Sequence, residues 1–302
     1  GESDNELADT LAQFRQNEGN SRLLTKPFAR KILIKELVKT TDSISGKAAE
    51  NLRWLYEELA LGSDSFRSFQ TGAWHRKAAA IQHLAEMQQS NYLVRIYRET
   101  NNKNPFIRTE AQLAVVKMTG FKGLRFLTIV SHAISQWQQL SLLSHLQEGE
   151  AEEENIKSWL NQKNDSVVEF ALRLVEHYRC YDLHDDVIAC LQHVSPAIRL
   201  QALEALKEIH NDTTAKALVH HFPMAAREEK LCILALLCET TAGTDELDFL
   251  TSLLNGEDEA IRFRALQAIQ QISPAWSLAV SKQMQHHPSF ANILPLLQKE
   301  AV

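Results

Sequence analysis

The sequence of 302 residues holds little glycine and proline, with only 10 and 7 of these residues. Loop-rich and all-β proteins use both at their turns, so the scarcity disfavours those classes. Leu, Ala, Gln, Glu, Ile and Lys dominate instead, and most of these residues favour helices. The chain is also long enough to bury a sizeable core. From this composition we predict an all-α protein.

Cysteine and long apolar runs are scarce too. The four cysteines, which share no framework spacing, are Cys180, Cys190, Cys232 and Cys238. We interpret them as reduced thiols in a cytosol-like compartment. The longest wholly apolar run, residues 231–238, is far shorter than the roughly 20 residues that span a bilayer. We therefore predict a cytoplasmic protein, and the start at Gly1 leaves room for an upstream segment.

The motifs of common enzyme and metal sites are missing from the sequence. It contains no G-x-S-x-G, no Walker-type phosphate loop, no G-x-G-x-x-G and no H-E-x-x-H. The nearest glycine pair, TGFKG at 119–123, is interpreted as a turn between helices. We predict that the protein is not an enzyme and binds no cofactor or metal.

The 32 basic against 38 acidic residues argue against nucleic acid as a partner.

Small residues recur along the chain at spacings of 30 to 33 residues. These anchor positions are Ala48, Ala80, Ala111, Ser141, Ala171, Ala202, Cys232 and Ala265. Further apolar residues follow most anchors at offsets of three, four and seven, which is the pattern of one helix face. Asn164, Ser195 and Asp258 lie in short polar breaks that precede three of these helices, where such residues commonly begin a helix.

A second apolar landmark lies eleven residues before several anchors. The landmarks, each within another amphipathic stretch, are Leu37, Val130, Leu160, Leu191 and Leu254. Each unit is thus two helices, and such pairs bury their apolar faces only by stacking. We predict an α-solenoid of about eight two-helix repeats as a single domain over 1–302. Residues 1–20 add an N-terminal helix, 21–285 hold the repeats, and 286–302 form a cap or a truncated repeat.

Segments 105–118, 195–209 and 258–272 share an [Ile/Val]-Arg-x-x-Ala pattern. This pattern resembles the second helix of HEAT repeats, and the unit length is similar to the short HEAT-like repeats of phycobilisome lyases. The resemblance implies that Arg108, Arg199 and Arg262 are structural, each pairing with acidic or carbonyl groups of an adjacent unit. Long arginine stems can cover apolar surface while the head group is paired.

In stacked helix pairs the second helices line an extended concave surface. The candidate interaction residues, two and five positions after an anchor, are Arg173, Glu176, Glu204, Lys207, Gln267 and Gln270. In three other units these positions are apolar and are either buried or a docking patch: Leu113, Val116, Leu143, Leu146, Leu234 and Leu237. We predict a non-enzymatic scaffold that binds one or more unidentified proteins.

Two alternative functions remain open. One is an enzyme or cofactor-attachment factor on a HEAT-like frame, similar to a DNA alkylation-repair glycosylase or a bilin lyase. The other is the cytosolic domain of a membrane-tethered protein. A membrane would be contacted only through a missing anchor or the basic segment 21–40, whose residues Lys31, Lys35 and Lys39 share a helix face. The simpler interpretation of that segment is the solvated outer face of a capping helix.

Histidine and cysteine also invite a metal interpretation at residues 180–193. Cys180, His184, Cys190 and His193 have a spacing that zinc could use. However, Cys190 belongs to an apolar helical stripe with Val187, which favours core packing over metal binding. His83 and His145 fall at half-buried repeat positions and are interpreted as core histidines.

Overall fold

The structure is a computed structural model that describes residues 9, 11–13, 16–147, 151–239, 244–256 and 258–284. These residues form seventeen α-helices and four 3₁₀ helices without a strand, which confirms the all-α prediction for them. The chain divides into two compact units, Gly1–Glu150 and Ala151–Val302. Most of the predicted helix at 1–20, and the whole predicted cap at 286–302, lie outside the described residues.

The first unit holds eight described α-helices. They are α1 (Glu18–Thr25), α2 (Pro27–Asp42), α3 (Lys47–Glu58), α4 (Leu61–Thr71), α5 (Trp74–Glu86), α6 (Leu93–Tyr97), α7 (Pro105–Thr119) and α8 (Gln136–Leu143). Ser90–Tyr92 and Gly120–Thr128 are 3₁₀ helices. Helix α5 packs along α7, and α7 packs against both the Gly120–Thr128 helix and α8. The core near α2 gathers Leu37 and Val38 around the fully buried Tyr56 and Leu61.

The second unit holds nine described α-helices. They are α9 (Glu153–Leu160), α10 (Asp165–Tyr178), α11 (His184–Cys190), α12 (Pro196–Ile209), α13 (Thr214–His221), α14 (Arg227–Glu239), α15 (Thr244–Leu253), α16 (Glu259–Ile272) and α17 (Pro274–Met284). Tyr181–Leu183 and Phe222–Met224 are 3₁₀ helices. Consecutive helices pack as pairs, α9 with α10, α11 with α12, α13 with α14 and α15 with α16. The later members of these pairs also pack on each other in chain order.

Polar residues begin several of these helices, as their positions in the sequence indicate. The Asn164 side chain accepts a hydrogen bond from the backbone of α10, and Asp258 accepts from Ala260 and Ile261 of α16. Such bonds satisfy N–H groups that a first turn leaves without partners. Ser195 differs, because its side chain makes no capping bond and Pro196 supplies the helix start instead.

Burial corrects the phase of three predicted anchors. Ala80, Ala111, Ala171, Ala202 and Ala265 are at most 1% exposed, as expected of packing positions. However, Ala48 is exposed, and Ser141 and Cys232 are half-buried. The buried residues there are the next ones along, Ala49, Leu142 and Ile233. Sequence pattern missed this because two adjacent residues suit the position equally well. With the correction, buried anchors recur every 31 residues in the first unit and every 31 or 32 in the second.

Side-chain contacts between helices recur at the same spacing. Such pairs, each joining residues 29 to 31 positions apart, include Lys117–Glu86, Thr109–Gln138, Arg179–Glu208, His184–Thr214, Arg199–Glu229 and Arg227–Asp258. Within each unit, residues one period apart are therefore close in space.

A separate finding concerns membranes: among the helices of the described ranges, none is both long and apolar enough to cross one.

Candidate functional site

The six candidate interaction residues lie on α10, α12 and α16 of the second unit. Together with α14, these helices form a series in which each helix packs on the next. Glu204 is exposed, and the other five side chains are half-buried. We call these residues the polar row: Arg173, Glu176, Glu204, Lys207, Gln267 and Gln270. Since none of them is fully buried, all retain a surface that a partner could contact.

Contacts with neighbouring side chains hold the polar row in place. Glu176 of α10 accepts a hydrogen bond of 3.1 Å from Gln201, which is nearly buried on α12. Lys207 Nζ lies 2.5 Å from Glu204 Oε2, one turn away on the same helix. Burial lowers the pKa of Lys207, but the hydrogen bond and charge of Glu204 outweigh it, so the pKa is raised. Lys207 is thus a fixed positive charge at neutral pH.

The ends of the polar row are held within single helices. Arg173 donates to Glu169 at 3.1 Å, one turn back on α10. On α16, Arg264 donates to Gln267 at 2.8 Å. Such pairs stabilise a helix modestly, because residues three or four apart share a helix face.

Helix α14 carries no charged member of the row. With Ile233 as its anchor, the equivalent positions are Ala235 and Cys238, and both are half-buried. The apolar residues proposed for these positions, Leu234 and Leu237, are fully buried. In the first unit Val116 and Leu146 are buried as well, while Leu113 and Leu143 are half-buried, so burial accounts for most of the apolar positions.

The three repeat arginines share one contact. Nη1 of Arg108, Arg199 and Arg262 each donates to the carbonyl oxygen six residues earlier, at 2.8, 2.8 and 2.7 Å. Each arginine thereby ties the start of its helix to the preceding turn. Arg199 also binds a residue one period away, Glu229.

The Arg199–Glu229 ion pair belongs to a buried polar cluster. Glu229 is 1% exposed, and Arg199 Nη2 lies 2.7 Å from its Oε1. Burial alone would raise the pKa of Glu229, but the bonds from Arg199 and the backbone N–H of Ala226 outweigh it and lower the pKa. His221 lies nearby, with Nε2 3.8 Å from Glu229 Oε2. Sequence reasoning missed Glu229, although an acidic residue one period after a repeat arginine is a usable signal.

The four residues weighed as zinc ligands either bind other groups or are buried in the core. His184 binds Thr214, and Nδ1 of His193 accepts from the backbone N–H of Ser195. Burial raises the pKa of Cys180 to about 12 and that of Cys190 to about 11, so both thiols stay protonated at neutral pH. Within the described ranges, no group of three or more His, Cys, Asp or Glu side chains is placed to hold a metal ion.

The basic segment 21–40 exposes fewer positive charges than its sequence indicates, because Arg30 is paired within the protein. Arg30 is tied down by Asp64, with Nη2 2.6 Å from Oδ2, and by the carbonyl oxygen of Leu59. Lys31, Lys35 and Lys39 remain exposed on α2. Arg30 therefore joins α2 to α4 instead of contributing to an anion-binding face.

No protein-family model matches the chain, and no protein of curated function matches it.

Proposed function

We propose that the protein is a non-enzymatic scaffold built as an α-solenoid of HEAT-like repeats, and that it binds a partner protein through the polar row. The observation that carries this proposal is the stacking of α10, α12, α14 and α16, one period apart, with the row on exposed or half-buried positions of α10, α12 and α16. Stacked repeats use such surfaces for binding because successive helices present equivalent side chains side by side.

The charges of the row favour a polar partner. Glu176, Glu204 and Lys207 carry both signs within adjacent helices, and their partners on the protein hold them in place. Residues that are already ordered lose less conformational entropy on binding. We expect the contact to depend on complementary charges and hydrogen bonds more than on apolar burial.

Site-specific photo-crosslinking in the native cells tests the proposal. A photoreactive residue at Glu204 should capture a protein, and Glu204→Lys combined with Lys207→Glu should abolish recovery of that protein from a tagged chain. The matched control carries the photoreactive residue at Lys216, which is exposed on α13 outside the row. Failure of the Glu204 position to crosslink any protein, or equal capture from Lys216, would contradict the proposal.

A further inference from the structure

Charge is distributed unevenly along the first unit. Residues 65–147 hold ten Lys or Arg and three acidic residues. None of the acids is exposed, because Glu86 is 6% exposed, Glu99 pairs with Lys77, and Glu110 is half-buried. The exposed basic residues are Arg67, Arg76, Arg95, Arg98, Lys103, Lys122 and Arg125. Every exposed charged side chain in this stretch is therefore positive.

Exposed aromatic side chains recur in the same stretch. Trp74, Phe106 and Trp137 occupy the first or second position of α5, α7 and α8, and are 49%, 60% and 79% exposed. The rings of Trp74 and Phe106 stack with centroids 4.9 Å apart. Gln138, next to Trp137, contacts Thr109 of α7, so Phe106 and Trp137 lie on first turns of adjoining helices. We call these three aromatic residues, with Arg76 and Lys103, the aromatic edge.

The helix ends beneath the aromatic edge add to its positive potential. The first turns of α5, α7 and α8 hold no acidic residue. Acids are favoured there because the N-terminal end of a helix carries partial positive charge. In the second unit Asp165, Glu228 and Glu259 occupy first turns of α10, α14 and α16. With exposed aromatic residues and no acids in these first turns, the aromatic edge is both apolar and positive.

Single exposed apolar residues are common, but a repeated aromatic position in a region of one charge sign is not accounted for by chance exposure. We propose that the aromatic edge binds an acidic segment of another protein. Apolar side chains of the segment pack on Trp74, Phe106 and Trp137, and its carboxylates face Arg76 and Lys103. This surface is distinct from the polar row, so either proposal can fail without the other.

The ring geometry favours a peptide over a single-stranded nucleic acid. Nucleic-acid platforms offer free ring faces on which successive bases stack. Trp74 and Phe106 cover one face of each other, which leaves no gap between them for a base. The stacked pair still exposes 49% of Trp74 and 60% of Phe106, on which apolar side chains can pack.

Selection from a random 12-residue peptide display library on the full chain tests this proposal. Selected peptides should be net acidic and contain at least two large apolar residues. Binding of a labelled selected peptide should weaken about tenfold in the Phe106→Ala, Trp137→Ala double variant and about threefold in Lys103→Glu. The matched control Phe28→Ala removes an aromatic that is 76% exposed on α2, and it should leave binding within twofold.

Four results would overturn the proposal. The selection yields no binders, or the peptides lack acidic charge, or the aromatic-edge variants bind them unchanged. The fourth is tighter binding of a different ligand than of the selected peptide, if the Phe106→Ala, Trp137→Ala double variant no longer binds that ligand. A 12-nucleotide oligothymidine tests for binding of nucleic acid. Sedimentation velocity tests for binding of a second copy of this chain, because residues 151–302 are net acidic, with 13 basic against 22 acidic residues.

Discussion

At the scale of single residues, the surroundings of an arginine determine what it contributes. Arg199 and Arg227 each bind an acidic residue about one period away, but their exposure differs. The Arg199 and Glu229 side chains are 18% and 1% exposed, whereas those of Arg227 and Asp258 are 64% and 29% exposed. Removing one partner of a buried ion pair leaves a charge without compensation, while surface pairs are weak.

We therefore predict that Arg199→Ala lowers the free energy of unfolding by about 3 kcal/mol. Arg227→Ala, the matched control, should change it little. Urea unfolding followed by circular dichroism at neutral pH measures both variants. Similar losses of unfolding free energy in the two variants would contradict the prediction that the buried Arg199–Glu229 pair contributes more stability than the more exposed Arg227–Asp258 pair.

Histidine burial predicts a pH dependence of stability. Burial lowers the pKa of His83, His145 and His221 in the folded chain. Below the ordinary histidine pKa of about 6.5, the unfolded chain takes up protons that the folded chain resists. Stability should thus be complete above about pH 6.5 and fall as the pH drops below it, by at most about 1.4 kcal/mol per histidine per pH unit.

Urea titrations at pH 7.5 and 5.5 measure that fall. His83→Gln removes one titrating group and should reduce the loss between the two pH values, since burial is the cause of the shift at His83. An unchanged loss in this variant would contradict the assignment of His83.

At the scale of elements, the first unit departs from regular helix pairs. Gly120–Thr128 is a 3₁₀ helix, although the sequence there predicts a turn at 119–123. Gly120 has a positive φ of 60° and ends α7, but Gly123 lies within the 3₁₀ helix. A Cβ at Gly123 would be 2.6 Å from the carbonyl oxygen of Val115, so this element approaches the backbone of α7 directly.

Gly123→Ala should accordingly destabilise the protein by about 2 kcal/mol, because backbone atoms must move to admit the methyl group. Gly62→Ala provides the control. Its Cβ would also come within 2.6 Å of an atom, but that atom is Oε1 of the flexible Gln89 side chain. We expect the control to be neutral or stabilising, since alanine favours helices over glycine. Thermal unfolding compares the two, and equal effects would refute the close backbone approach.

Sequence predicted the elements better than their contacts. Amphipathic spacing and polar starts located helices such as α10, α12 and α16, because both signals are local. The partial exposure of the polar row follows from the same spacing, once Ala171, Ala202 and Ala265 set the phase. The Glu229 cluster and the aromatic edge depend on side chains a period apart, and no local pattern reports how such residues meet.

At the scale of the whole molecule, the proposed architecture rests on the period of 31 residues. Buried anchors and inter-helix contacts both repeat at about this spacing within each unit. In a stack of equivalent helix pairs, each pair contacts its neighbours alone, so removing one whole pair lets the flanking pairs meet in the same way. Removal of half a pair gives no such replacement.

Deletion of one period from the second unit tests this claim most directly. The variant lacking residues 181–211 loses α11 and α12 and brings α14 against α10. We predict that it keeps its helicity per residue and unfolds cooperatively, measured by circular dichroism during heating. A variant lacking 196–212, which removes α12 alone, should lose cooperative unfolding. Loss of cooperative unfolding in the 181–211 variant, or equal behaviour of the two, would contradict the stacked-repeat architecture.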